Sequence, residues 1–192
     1  MRAITFDIET KGGAMVRGRL DVMNMELTVV GIHDSSTGQY TGFFKEELHK
    51  LWPIIESADM LIGFNSDGFD IPLLNRYYPG DLTKIRSLDI LSEVYKALGR
   101  RIRLDTLAQA TLGRGKTGDG LKAIDWWEEG RYEEVKEYCL EDVRLTRELY
   151  DYARTHGHLK YKDLKDTRDI KLDTSAWESE GGSTAFTHTL GL

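Results

Sequence analysis

Apolar and polar residues alternate from Ala3 to Thr10, the period of a half-buried strand. Ile4, Phe6 and Ile8 then face one way, and Thr5, Asp7 and Glu9 the other. Glu26 to Asp34 and Gln39 to Phe44 are apolar-rich strands joined by the turn formers Ser35-Ser36-Thr37-Gly38, a hairpin signal. Lys45 to Ser57 reads as a crossover helix with Leu48, Leu51, Trp52 and Ile55 on one face. Residues 59–64 form a near-continuous apolar run, as in a central strand covered on both faces. A helix near 70–77, a short strand near Ile85 to Asp89, and helices near 90–98, 103–112, 119–127 and 131–152 follow. His158 to Lys162 and Ile170 to Thr174 are expected to pair as a hairpin around Lys165-Asp166, and beyond Glu178 the Gly, Ser and Thr content is that of a mobile tail.

This pattern directs attention to acids in unusual places. Asp7 and Glu9 share one face of the first strand, and adjacent carboxylates repel unless a cation or proton lies between them. Such a pair is either two solvated acids at a strand end or part of a site for a hard cation. In the helix near 131–152, Asp142 falls in the apolar arc, within about 20° of Val135 and Leu149 at about 100° per residue. A carboxylate there is costly unless paired or bound to metal, so a structural ion pair and a ligand both remain open. Tyr138, one turn earlier, is a core tyrosine or a phenol that orients a water beside Asp142. The run at 59–64 ends in Asn65-Ser66-Asp67-Gly68-Phe69-Asp70-Ile71-Pro72, which puts Asp70 at a strand-to-helix junction as an N-cap or a ligand.

Taken together the three segments resemble the DEDD exonucleases. Phe6-Asp7-Ile8-Glu9-Thr10 matches that superfamily's first motif, Asn65-Ser66-Asp67-Gly68-Phe69-Asp70 its second, and Tyr138-Cys139-Leu140-Glu141-Asp142 its third in the tyrosine subclass. The histidine subclass would carry His where Glu137 stands. The wording is similar to the proofreading domains of family B DNA polymerases and to small stand-alone exonucleases. The resemblance covers residues 1–154, leaving 155–192 as a C-terminal extension. It implies a ribonuclease H-like α/β fold, three antiparallel strands then parallel ones in a mixed sheet flanked by helices. It also implies a 3′–5′ exonuclease acting on single-stranded DNA or RNA 3′ ends, in nucleic-acid repair or processing. Asp7, Glu9, Asp70 and Asp142 would hold two Mg²⁺ or Mn²⁺ ions about 4 Å apart. Tyr138 would orient the water; Thr10 and Asn65 would hold the terminal nucleotide and order the second motif.

Composition narrows the classes. With 192 residues, 40% hydrophobic and 30% charged, the chain reads as one globular domain with no room for a polymerase as well. No membrane-length apolar run or leader-like start is present, and Cys139 is alone, so an intracellular, cytoplasmic location is expected. Net charge −6 argues at first sight against nucleic acid. The basic residues are grouped, however: Arg100, Arg101 and Arg103; Arg17 and Arg19; and Arg114, Lys116 and Lys122 around the Gly-rich loop 113–120. That loop lacks P-loop spacing, which excludes a nucleoside-triphosphate site of that kind. Arg114, Lys116 and Lys122 are taken as candidate phosphate contacts. Asp89 reads as a helix N-cap, and Trp126 and Trp127 as core packing under the last helix. Two other classes stay open: an endonuclease on the same fold, and a non-catalytic binding module for nucleic acid or protein.

Overall fold

The computed structural model describes residues 1–12, 15–16, 19–20, 24–115 and 120–178. Its strands are β1 (Ala3–Gly12), the short pair β2 (Met15–Val16) and β3 (Arg19–Leu20), β4 (Met25–Asp34), β5 (Gln39–Phe44), β6 (Met60–Gly63), β7 (Ser87–Asp89), β8 (His158–Asp163) and β9 (Asp166–Lys171). Its helices are α1 (Leu48–Glu56), α2 (Asp70–Leu74), α3 (Ile90–Leu98), α4 (Leu104–Leu112), α5 (Gly120–Glu128) and α6 (Tyr132–His156). The main sheet has the order β5-β4-β1-β6-β7. β5, β4 and β1 run antiparallel, and β1, β6 and β7 parallel. This is the mixed, helix-flanked α/β sheet that the alternating and continuous apolar runs imply.

The two faces of β1 bury different partners. Ile4, Phe6 and Ile8 enter a core with Leu51 and Ile55 of α1 and Ile71, Leu73 and Leu74 of α2. The opposite face looks toward α6, whose buried stripe runs from Val135 through Cys139, Val143 and Leu149 to Ala153. Gly31 of β4 pairs with Asp7 across the ladder. A Cβ there would stand 3.0 Å from the Cys139 sulfur and 3.1 Å from Val143 Cγ2, so the missing side chain lets α6 lie close against the sheet. α6 ends on Gly157 at φ 69, the left-handed C-terminal turn that glycine takes without strain.

A hairpin forms as β8 and β9, but its second strand is Asp166–Lys171 and not Ile170–Thr174: the chain turns tightly at Leu164 and Lys165, and Asp166 already pairs with Asp163. It is not peripheral: Leu159, Tyr161, Ile170, Leu172 and Trp177 share one core with Leu107 of α4 and Leu145, Leu149 and Tyr150 of α6. The residues beyond Glu178 assigned to a mobile tail lie outside the described residues.

At the other end of the sheet, Arg2 Nε donates to Asp34 Oδ1 at 3.2 Å and Nη2 to Oδ2 at 2.6 Å. The Arg2 guanidinium holds the Asp34 carboxyl down at about 2. A carboxylate depressed in the folded state stabilises it above the unfolded pKa of about 3.9, and that contribution is lost as pH falls toward 2. Asp34→Asn is therefore expected to lower the melting temperature at pH 7, by an amount that shrinks steadily below pH 4 and is largely gone as pH falls through 2, read from thermal melts across that range.

Candidate active site

Asp7 and Glu9 leave β1 on the face turned to α6, where Asp142 waits on the buried stripe at 3% exposure. One carboxylate oxygen from each of the three lies within 4.8 Å of the others. Three anions at that spacing repel strongly. Hard oxygen donors converging from a strand and a helix match the donor set of Mg²⁺ or Mn²⁺, so the residues fit a divalent ion. The rest of the fold opposes that repulsion: β1 is held in the middle of the sheet and α6 is packed along its length.

Asp70 is brought to the same region but stands outside this close trio. It opens α2 and is 4% exposed. Burial raises its carboxyl to about 7, the charges of Asp89 and Asp142 push the same way, and the main-chain amides of Asp70 itself and Ile8 oppose them. The Ile8 amide belongs to the residue between Asp7 and Glu9, which ties Asp70 to the acidic stretch of β1.

Tyr138 is 5% exposed, one turn from Asp142, with Trp126 edge-on at 6.1 Å between ring centroids. It borders a cleft with Trp126, Glu134, Glu137 and Glu141. Trp126 and Trp127 pack beside Val135 and Tyr138 at the base of α6. Thr10 follows a register shift between Glu9 and Thr10 and is 9% exposed.

Of the candidate phosphate contacts, Arg114 donates from Nη1 to Glu141 and from Nη2 to Glu148, both at 2.5 Å, so its charge is compensated on α6. Lys122 is exposed on α5. Lys116 and Arg17 lie outside the described residues, as does the side chain of Arg19.

Two residues matter more to this arrangement than their sequence positions indicate. Asp89 is the N-cap of α3, accepting from the amides of Leu91 and Ser92. The same carboxylate also accepts from the amides of Asn65 at 2.8 Å and Asp67 at 3.3 Å. It therefore clasps the turn that leads to Asp70 and supports Asn65 at a left-handed φ of 66. Cys139, fully buried, puts its sulfur 3.4 Å from the Asp7 carbonyl oxygen and 3.8 Å from Asp7 Oδ2. Burial and then the charges of Asp7, Glu9 and Asp142 push its thiol well up, so it stays a neutral donor toward Asp7. A local signal existed for Cys139, three residues before Asp142 on the same helix face. None existed for the clasp between Asp89 and Asn65.

Among solved structures, the chain is similar to the family B DNA polymerase from the hyperthermophilic archaeon Pyrobaculum calidifontis. The identity is 19% and the TM-score 0.60, over 80% of this chain and 24% of that one. The chain thus spans about a quarter of the polymerase's length, and at this identity the likeness concerns the fold. No curated protein matches. Among the described residues no helix is long and apolar enough to cross a membrane. A family model described as the RNase_H superfamily matches residues 4–154. With that match running over most of its length, the chain belongs to the RNase H superfamily.

Proposed function

We propose that this protein is a divalent-metal-dependent nuclease of the tyrosine subclass, a 3′–5′ exonuclease on single-stranded DNA or RNA ends. The observation that carries the reading is the convergence of Asp7, Glu9 and Asp142 from β1 and α6 to within 4.8 Å. In this reading the catalytic unit is residues 1–154 and the remainder an extension that packs onto it. Its work lies inside the cell, in the processing or repair of nucleic-acid ends.

When bound, two Mg²⁺ or Mn²⁺ ions would supply an acidified water and positive charge at the leaving 3′-oxygen. Asp7, Glu9 and Asp142 would hold them, with Asp70 as the fourth acid. The chain's own residues then perform distinct tasks. The Cys139 thiol holds Asp7 through its main-chain carbonyl oxygen, with the carboxylate next in reach. The Asp89 clasp and the Ile8 amide keep Asp70 beside β1. Tyr138 orients the attacking water through its hydroxyl and does not act as a strong base.

A 5′-labelled single strand incubated with the protein and Mn²⁺ tests the reading. A ladder of shortened products is expected, abolished by chelator. Internal cuts would instead mean an endonuclease, and an unchanged strand a binding module; the same strand in DNA and RNA form reads the preference. Tyr138→Phe removes the hydroxyl and keeps the ring packed. We expect single-turnover cleavage to fall by about ten- to a thousandfold, the scale of one lost water-orienting hydrogen bond. Stabilisation by Mn²⁺ should persist in that variant. Wild-type turnover in Tyr138→Phe would remove the tyrosine from the mechanism.

A further inference from the structure

Asp7 also borders a cleft of about 350 Å³ on the side of the β6–α2 turn and the α3–α4 connection. Phe64, Asn65, Leu91, Arg101 and Arg103 line it. Small-ligand sites run from about 300 to 1,000 Å³, so this one has room for a single nucleotide. Its lining is divided in the way a nucleotide requires. The half-buried Phe64 ring and Leu91 offer apolar surface to a base. Arg101 and Arg103 are exposed, and among the described residues neither has a carboxylate at ion-pair distance. Most other arginines are neutralised locally: Arg114 by Glu141 and Glu148, Arg144 by Glu137 and Glu141, Arg131 by Glu129 and Glu134. In a chain of net charge −6, two uncompensated guanidinium groups beside the acidic trio are a local exception.

The direction of Arg101 has a visible cause. Its Nη2 donates to the Asn65 side-chain oxygen. Asn65 presents that oxygen from a left-handed backbone at φ 66, and its own amide is taken by Asp89 at 2.8 Å. The chain Asp89, Asn65, Arg101 thus aims a planar fork into the cleft, the geometry suited to paired phosphate oxygens.

Building on the nuclease reading, we infer that this cleft grips one nucleotide by its phosphate through Arg101 and Arg103, that Asn65 is a positioning residue acting through Arg101, and that released nucleoside 5′-monophosphate is therefore retained there. Arg101 and Arg103 bring a polyanion to a cluster of carboxylates that would otherwise repel it, which resolves how an acidic protein engages a phosphodiester.

The test is calorimetric titration of the full chain, in chelator, with adenosine or deoxyadenosine 5′-monophosphate, the free nucleosides, and inorganic phosphate. The monophosphates should bind at least about tenfold more tightly than the nucleosides. Arg101→Ala and Arg103→Ala should each weaken the monophosphates by about tenfold or more, with nucleoside binding unchanged. Arg101→Lys should recover only part of the loss, because it keeps the charge and loses the fork. Asn65→Ala should weaken the monophosphates when Arg101 is present and add nothing in Arg101→Ala, the signature of a residue acting through another. Melting curves on each variant keep folding separate from binding. Equal affinity for monophosphate and nucleoside, or monophosphate binding untouched by the double Arg101→Ala, Arg103→Ala change, overturns the inference. So does a full Asn65→Ala loss in the Arg101→Ala background. Cleavage assays separate the two levels. A chain that binds monophosphate through Arg101 and cuts nothing overturns the nuclease reading and leaves the cleft standing. A double variant that still cuts with the wild-type KM does the reverse.

Discussion

Asp142→Ala is expected to lower metal-dependent cleavage by about a thousandfold or more, a barrier rise of about 4 kcal/mol. Asp142 supplies one of three carboxylate oxygens within 4.8 Å and is the contribution of α6 to a site otherwise carried by β1. Removing it takes from this trio its one carboxylate on α6 and leaves Asp7 and Glu9 of β1. A second readout distinguishes a ligand from a buried structural acid. A cation that binds only the folded state raises its melting temperature. The wild type should therefore melt higher in Mn²⁺ than in chelator, and Asp142→Ala should melt at the same temperature in both. The substitution also removes one of three mutually repelling charges, so in chelator it should cost little stability or even add some. Asp142→Asn, which keeps the shape and removes the charge, should behave alike in Mn²⁺. Near-wild-type cleavage, or an undiminished Mn²⁺ shift in both variants, would rule out a metal centre at this trio.

Trp177→Ala is expected to destabilise the fold by about 3–5 kcal/mol, the cost of truncating a buried aromatic. Trp177 is 3% exposed and stacks on Tyr150 of α6 at 5.5 Å with planes 12° apart. Arg86 secures the segment by donating to the carbonyls of Ala176 at 2.5 Å and Trp177 at 3.2 Å. Leu159, Tyr161, Ile170 and Leu172 fill the same core from the hairpin. A fragment ending at Arg154 would lose all five and expose the outer side of α6. It is expected to lose cooperative unfolding in urea, and single-residue loss at Trp177 to shift the midpoint downward without changing the slope. A 1–154 fragment as stable as the full chain would show instead that the hairpin is a dispensable addition. Residue 154 marks the end of the family match; the buried side chains run on to Trp177.

The strand and helix periods alone were enough to orient the acids. Period two puts Asp7 and Glu9 on the face of β1 away from Phe6, and period 3.6 puts Asp142 among Val135 and Leu149 on α6. The structure keeps both assignments: Phe6 packs with α1 and α2, and Asp142 lies within the buried stripe of α6. The hairpin of β4 and β5 was equally legible, because a short polar turn demands antiparallel neighbours and an intervening helix a crossover, whereas the place of β1 between β4 and β6 followed from the resemblance. Face assignment and the hairpin are local properties, set by residues a few positions apart.

Contacts between segments distant in the chain depend instead on three-dimensional packing. Arg114 looked available for phosphate until Glu141 and Glu148 of α6 closed on it. Asp89 looked like an ordinary cap, and its oxygens also hold Asn65 and Asp67 across a gap of more than 20 residues. Arg101 stood undistinguished in a basic cluster until Asn65 gave it a direction. Asp70 matched a motif, yet its buried position against the Ile8 amide, outside the close trio, depends on how α2 docks on β1. The hairpin's burial against α4 and α6 was not visible in its own alternation. Periodicity states which face of an element is buried; which partner covers it, and which charged side chains meet there, depends on how the elements pack around the sheet.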